Sequence, residues 1–136
     1  MRSEVYLLDT SAILSLLEDE DGAQRVEELL RSAKVLLPFP VLLEVYYVSL
    51  RECTEEVADQ RYALLKQLPV EHLWEVDEPT LLTAARLKGH HSLSLADALI
   101  AAFALRRGAI LVHKDPEFEA AVGVVRQEAL PYKTSP

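Results

Sequence analysis

The chain has 136 residues, with 22 Asp and Glu against 14 Lys and Arg, a formal net charge of −8 and half of its residues apolar. That length suits one domain, residues 1–136, whose core needs no staples. A single cysteine, Cys53, excludes a disulfide framework and a Cys-based zinc site, and the acid excess excludes nucleic-acid binding by a basic surface alone.

Glu4 to Leu8 reads as a short buried strand that ends at Asp9-Thr10-Ser11. Helical periodicity follows over Ser11–Glu18 and again over Ala23–Ser32. Val35–Leu37 is a second strand closed by Pro38, and Pro40 suits the start of a helix over Val41–Arg51. Thr54 caps a helix that ends before Pro69, and His72–Val76 is a weak third strand. A helix over Pro79–Lys88 is expected to stop at Gly89. The best-marked helix is Leu95–Arg107, with Ser94 as its cap and Gly108 at its end. Ala109–Val112 is a clear strand, and a last short helix and strand are expected within Phe118–Val125.

Short apolar strands alternating with helices predict an α/β fold, with a mostly parallel sheet covered on both faces. Glu4 and Asp9 interrupt the stretch where a secretory signal would carry its apolar core. The most apolar segment, Val35–Leu50, holds Pro38, Pro40 and Glu44 and is shorter than the ~20 residues a membrane helix needs. A soluble, cytoplasmic protein with no membrane contact is expected.

Four carboxylates stand in unusual settings. Asp9 follows an apolar strand, where it either caps the next helix or faces a site beyond the sheet edge. Glu44 interrupts the apolar run Val41–Val48; on a buried helix it must be paired, protonated or metal-bound, and otherwise it marks a polar stripe with Arg51. Asp97 is either the distal member of a Ser-x-x-Asp capping box or an acid at the mouth of a cleft. Asp115 precedes Pro116 after a strand, which is a common turn as well as a strand-end position. If the four converge they cannot all stay ionised unaided, because two carboxylates about 5 Å apart repel by about 3 kcal/mol at an effective dielectric near 20. Either some stay protonated or divalent cations sit among them; oxygen-only ligands with no Cys favour Mg²⁺ or Mn²⁺ over zinc, and Mg²⁺ so held suits phosphate chemistry.

At these residues the sequence resembles the PIN-domain ribonucleases, in particular the VapC-type toxins of toxin–antitoxin pairs. The matching pieces are Leu7-Leu8-Asp9-Thr10-Ser11, Glu44, the Ser94–Ala101 block with Asp97, and Leu111–Phe118 with Asp115. The resemblance implies a three-layer α/β/α sandwich with a short central sheet. It implies that Asp9, Glu44, Asp97 and Asp115 bind one or two Mg²⁺ or Mn²⁺ ions and that metal-activated water hydrolyses RNA, leaving a 5′-phosphate. Thr10, Ser11 and Ser94 match supporting polar positions, and Glu117 stands where many relatives carry a further acid, as a possible outer ligand. His113 departs from the pattern, since the family usually has Thr or Ser there; its support is either lost or replaced. Relatives are commonly homodimers, inhibited by a small antitoxin protein that reaches into the active site. A catalytically weak PIN-fold module that holds RNA or protein is the alternative.

Among the cations, Lys114, Arg106 and Arg107 are candidates for holding RNA phosphates, with helix-end charge pairing as the competing role for the two arginines. His90 and His91 read as an exposed loop, His72 as structural, and Tyr46, Tyr47 and Tyr62 as packing residues rather than base-stacking ones.

Overall fold

Five strands form one sheet in the computed structural model, which describes residues 3–133. The elements run β1 (Val5–Leu8), α1 (Thr10–Leu17), α2 (Ala23–Ser32), β2 (Lys34–Pro38), α3 (Phe39–Glu52), α4 (Glu55–Gln67), β3 (Glu71–Leu73), α5 (Glu78–His90), α6 (Leu95–Arg107), β4 (Ile110–His113), a 3₁₀ turn (Pro116–Ala121) and β5 (Gln127–Ala129). The strand order is β3-β2-β1-β4-β5, and all four pairings are parallel.

Consecutive residues of a strand point to opposite faces of a sheet. Leu7 and Leu8, Leu36 and Leu37, and Leu111 and Val112 are all fully buried, so both faces of the sheet are covered. This is why the strands read as continuous apolar runs rather than alternating ones. Helix starts follow local chemistry: Asp9, Thr54, Asp77 and Ser94 each accept a backbone N–H from the first turn of α1, α4, α5 and α6. Gly108 closes α6 in the left-handed conformation, at φ 62°.

Three expectations need correction. Helix α5 does not stop at Gly89; it runs to His90, where the His91 N–H still bonds the Leu87 carbonyl. The last strand comes after Val125, at Gln127–Ala129, because the parallel register pairs Leu111–His113 with those residues. Helix α3 is not buried nearly all round: Leu43 is 62 % exposed, and Tyr47 and Leu50 are exposed beside it. Its Val41, Leu42 and Val45 face the core. Among the described residues, no helix is long and apolar enough to cross a membrane.

Candidate functional site

The first acid is placed by the central strand. The Asp9 N–H donates to the Val112 carbonyl at 3.1 Å, which extends the β1–β4 ladder by one bond. Its carboxylate turns back as the α1 cap and accepts from the Ala12 N–H at 2.7 Å and from the Ser11 hydroxyl at 2.7–2.8 Å. Ser11 Oγ in turn accepts the Lys114 N–H at 2.8 Å, tying the ends of β1 and β4 together. The capping reading of Asp9 is therefore realised, with the side chain held at the end of β1.

Asp97 enters from the first turn of α6. Its N–H donates to Ser94 Oγ at 3.1 Å, so the capping half of the Ser-x-x-Asp pattern forms while the Asp97 carboxyl stays free to face the other acids. The Ser94 N–H donates to Glu117 instead. Asp115 caps the 3₁₀ turn, with its carboxylate accepting the Glu117 N–H at 2.9 Å. Asp97, Asp115 and Glu117 thereby present carboxylate oxygens that all lie within 4.8 Å of one another.

This crowding has an electrostatic cost. Asp9 is 2 % exposed, and burial, helped by the nearby Asp115 charge, pushes its pKa up to about 7 against the opposing Ala12 and Ser11 hydrogen bonds. Asp97 is pushed up to about 8, first by burial and then by the charges of Glu117, Asp115 and Asp9. Asp9, Asp97, Asp115 and Glu117 thus feel one another's charge, a set that includes Glu117 and not the expected Glu44, and at neutral pH protons relieve part of the repulsion. The residues fit a hard divalent cation: the donors are all oxygen, and three of them lie within 4.8 Å of one another. A bound cation would release the protons that Asp9 and Asp97 hold.

Glu44 is not brought into this group. It is half-buried on α3 and accepts the Thr10 hydroxyl, with Thr10 lying between Asp9 and Ser11. His113 is buried, 1 % exposed, and faces away from solvent against Phe118. A cleft of about 410 Å³ opens beside Asp115, lined by Ser11, Glu52, Lys114, Tyr132 and Lys133 among others.

The cations lie differently from the expectation. The Lys114 side chain is 4 % exposed; its ammonium donates to the Asp21 carbonyl at 2.8 Å and stands 3.6 Å from Glu20. Arg106 and Arg107 do not border the carboxyl edge of the sheet. They sit nine and ten residues down α6 from Asp97, about 14–15 Å along the axis, and Arg107 pairs with Glu71 at the start of β3. His72 accepts its structural role through the Leu65 carbonyl, and Tyr46 and Tyr62 pack edge to face. His91 is not free either, since its Nδ1 meets the Ala120 carbonyl at 2.9 Å. The residue missed from sequence is Gln127: it lies in the displaced last strand and contacts His113 at 2.9 Å. Only an accurate register for β5 could have found it.

The model of the PIN domain family matches residues 6–124. The chain is 27 % identical over 134 residues to Ribonuclease VapC11 of Mycobacterium tuberculosis, spanning 95 % of this chain and 100 % of that protein. A VapC ribonuclease of Mycobacterium bovis matches to the same extent. Among solved structures, VapBC2 of Rickettsia felis bound to a promoter DNA fragment matches with a TM-score of 0.76 at 16 % identity, over 93 % of this chain and 99 % of that one. The sarcin–ricin-loop-cleaving toxin VapC20 of M. tuberculosis matches with a TM-score of 0.71 at 22 % identity, over 94 % of this chain and 100 % of that one. These structural likenesses bear on the fold.

Proposed function

The chain belongs to the PIN domain family, and from that membership we propose that it is a metal-dependent endoribonuclease, the toxin of a toxin–antitoxin pair acting in the cytoplasm. The observation that carries this reading is the meeting of Asp97, Asp115 and Glu117 within 4.8 Å, next to the buried Asp9. Asp9, Asp97 and Asp115 would hold the ion, with Glu117 as a further ligand and Glu44 acting beside them.

When bound, Mg²⁺ or Mn²⁺ supplies Lewis acidity, activating water and offsetting the charge on the phosphodiester. The chain's own groups do the rest. Ser11 orients both oxygens of Asp9. Thr10 orients Glu44. The first turn of α6 brings its partial positive charge to the same edge, which favours an approaching phosphate. The cleft beside Asp115 would admit an RNA strand to that acid; Lys133 on its wall pairs with Glu20 at 2.9 Å.

An antitoxin partner and a homodimer complete the reading. Phe39, Leu42, Leu43, Tyr46, Tyr62 and Trp74 line an apolar groove of about 450 Å³ between α3 and α4, a surface that a partner protein would cover. The test is cleavage of RNA by the purified protein with Mg²⁺ or Mn²⁺. Chelation and Asp97→Asn should each reduce the rate by more than roughly 100-fold, with circular dichroism unchanged. RNA cleavage at the wild-type rate under both treatments would overturn the proposal; RNA binding without cleavage would replace it with the binding-module reading.

A further inference from the structure

The turn that carries Asp115 and Glu117 is fastened at both ends by one side chain. Gln127, on the last strand, donates from Nε2 to the Phe118 carbonyl at 2.8 Å, just after the two acids. Its Oε1 meets His113 Nε2 at 2.9 Å, just before them. His113 Nδ1 then meets the Asp115 N–H at 3.2 Å.

The direction of these bonds is fixed by chemistry. A carbonyl can only accept, so Gln127 must place its NH₂ on Phe118 and its oxygen on His113. That oxygen requires a donor, so His113 carries its proton on Nε2. Its Nδ1 is left with a lone pair, which is what the Asp115 N–H needs. The ring is buried, with its centroid 5.0 Å from that of Phe118, so it has little freedom to turn. Among the described residues, no buried side-chain polar atom lacks a partner.

We propose that Gln127 and His113 are positioning residues: Gln127 fixes the imidazole, and the imidazole fixes the Asp115 amide, so that Asp115 and Glu117 stand ready to share a cation with Asp97. The purpose of the relay rests on the metal reading above, although its geometry does not. It gives His113 a support role in place of a hydroxyl, by holding the backbone of the acid rather than its carboxylate.

The relay and plain packing predict opposite orders for two substitutions. Asn places an oxygen near the position of Nδ1, whereas Gln reaches towards Nε2 and fills more of the ring's volume. If His113 only fills space, His113→Gln is the milder change. If it holds Asp115, His113→Asn is the milder one. Mn²⁺ titration by calorimetry should show Kd weakened about 10–100-fold in His113→Gln and in Gln127→Leu, with His113→Asn at least about threefold tighter than His113→Gln. Amide exchange followed by NMR in metal-free protein should show Asp115 protection falling about tenfold in Gln127→Leu. Gln127 is only half-buried on an edge strand, so this variant tests the relay even if the His113 variants fail to fold. Unchanged Asp115 protection in Gln127→Leu, or His113→Gln binding Mn²⁺ as tightly as His113→Asn, overturns the relay. A wild-type protein that takes up no Mn²⁺ while Asp115 protection still depends on Gln127 overturns the metal reading and the relay's purpose, and leaves its geometry standing.

Discussion

Asp9→Asn should make the metal-free protein more stable while removing its activity. Asp9 holds a proton in the folded chain up to a pH of about 7, whereas in the unfolded chain its pKa is near the ordinary aspartate value of 3.8. Between those values the folded state binds the extra proton, so stability falls as pH rises. Each pH unit costs about 1.4 kcal/mol, which gives a ceiling of about 4 kcal/mol by pH 8. Asn does not titrate, and its oxygen can still accept the Ala12 N–H as the cap. Thermal unfolding in chelator should therefore show Asp9→Asn gaining on wild type from pH 4 to pH 8, by on the order of 10 °C at the top of the range. Mn²⁺ at one hundred times Kd should close most of that gap, because only the wild type gains binding energy, about 2.7 kcal/mol. A stability difference that stays flat over pH 4–8, or moves the other way, would refute the placement of Asp9 as a buried acid held protonated by desolvation.

Two further outcomes are expected from the surroundings of the site. Lys114→Ala should cost about 2–4 kcal/mol in urea unfolding, because it strips the Asp21 carbonyl and Glu20 of a buried partner; a cost below 0.5 kcal/mol, roughly that of a surface change, would place the ammonium in solvent. Gly22→Ala should cost about 1–3 kcal/mol by the same measurement. Gly22 has a φ of 101°, and a new Cβ would meet Leu130 Cβ at 3.0 Å. An unchanged midpoint would show that the loop relaxes freely.

The acids were legible because each sits where local chemistry is strong. Asp9 ends an apolar strand, Asp97 completes a Ser-x-x-Asp start, and Asp115 precedes a proline; these signals are one to four residues long and survive in a single sequence. Glu44 was found for a reason only partly right. The apolar run around it reads as a buried helix, yet Leu43, Tyr47 and Leu50 lie outside. An apolar face exposed to solvent and an apolar face turned to the core have the same composition, so sequence alone does not separate them. The direction of Lys114 was equally invisible, because its partners, Asp21 and Glu20, are more than ninety residues earlier. Gln127 was out of reach for a similar reason. A three-residue strand carries almost no periodicity, and its register is set by β4 rather than by its own residues.

The central place of β1 also governs the order in which the protein can assemble during synthesis. The first strand emerges early, but its Asp9 N–H has no partner until Val112 has been made, and Ser11 waits 103 residues for the Lys114 amide. Each closure requires a long loop, whose entropy must be spent before the contact forms. β5, with its clamp on the 113–118 turn, arrives later still. A ribosome part-way through the message therefore carries no assembled acid cluster, and a chain truncated before β4 contains Asp9, Glu44 and Asp97 without Asp115 and Glu117. For the ribonuclease chemistry proposed above, the parallel topology delays assembly of the acid cluster until β4 and the turn after it have been translated.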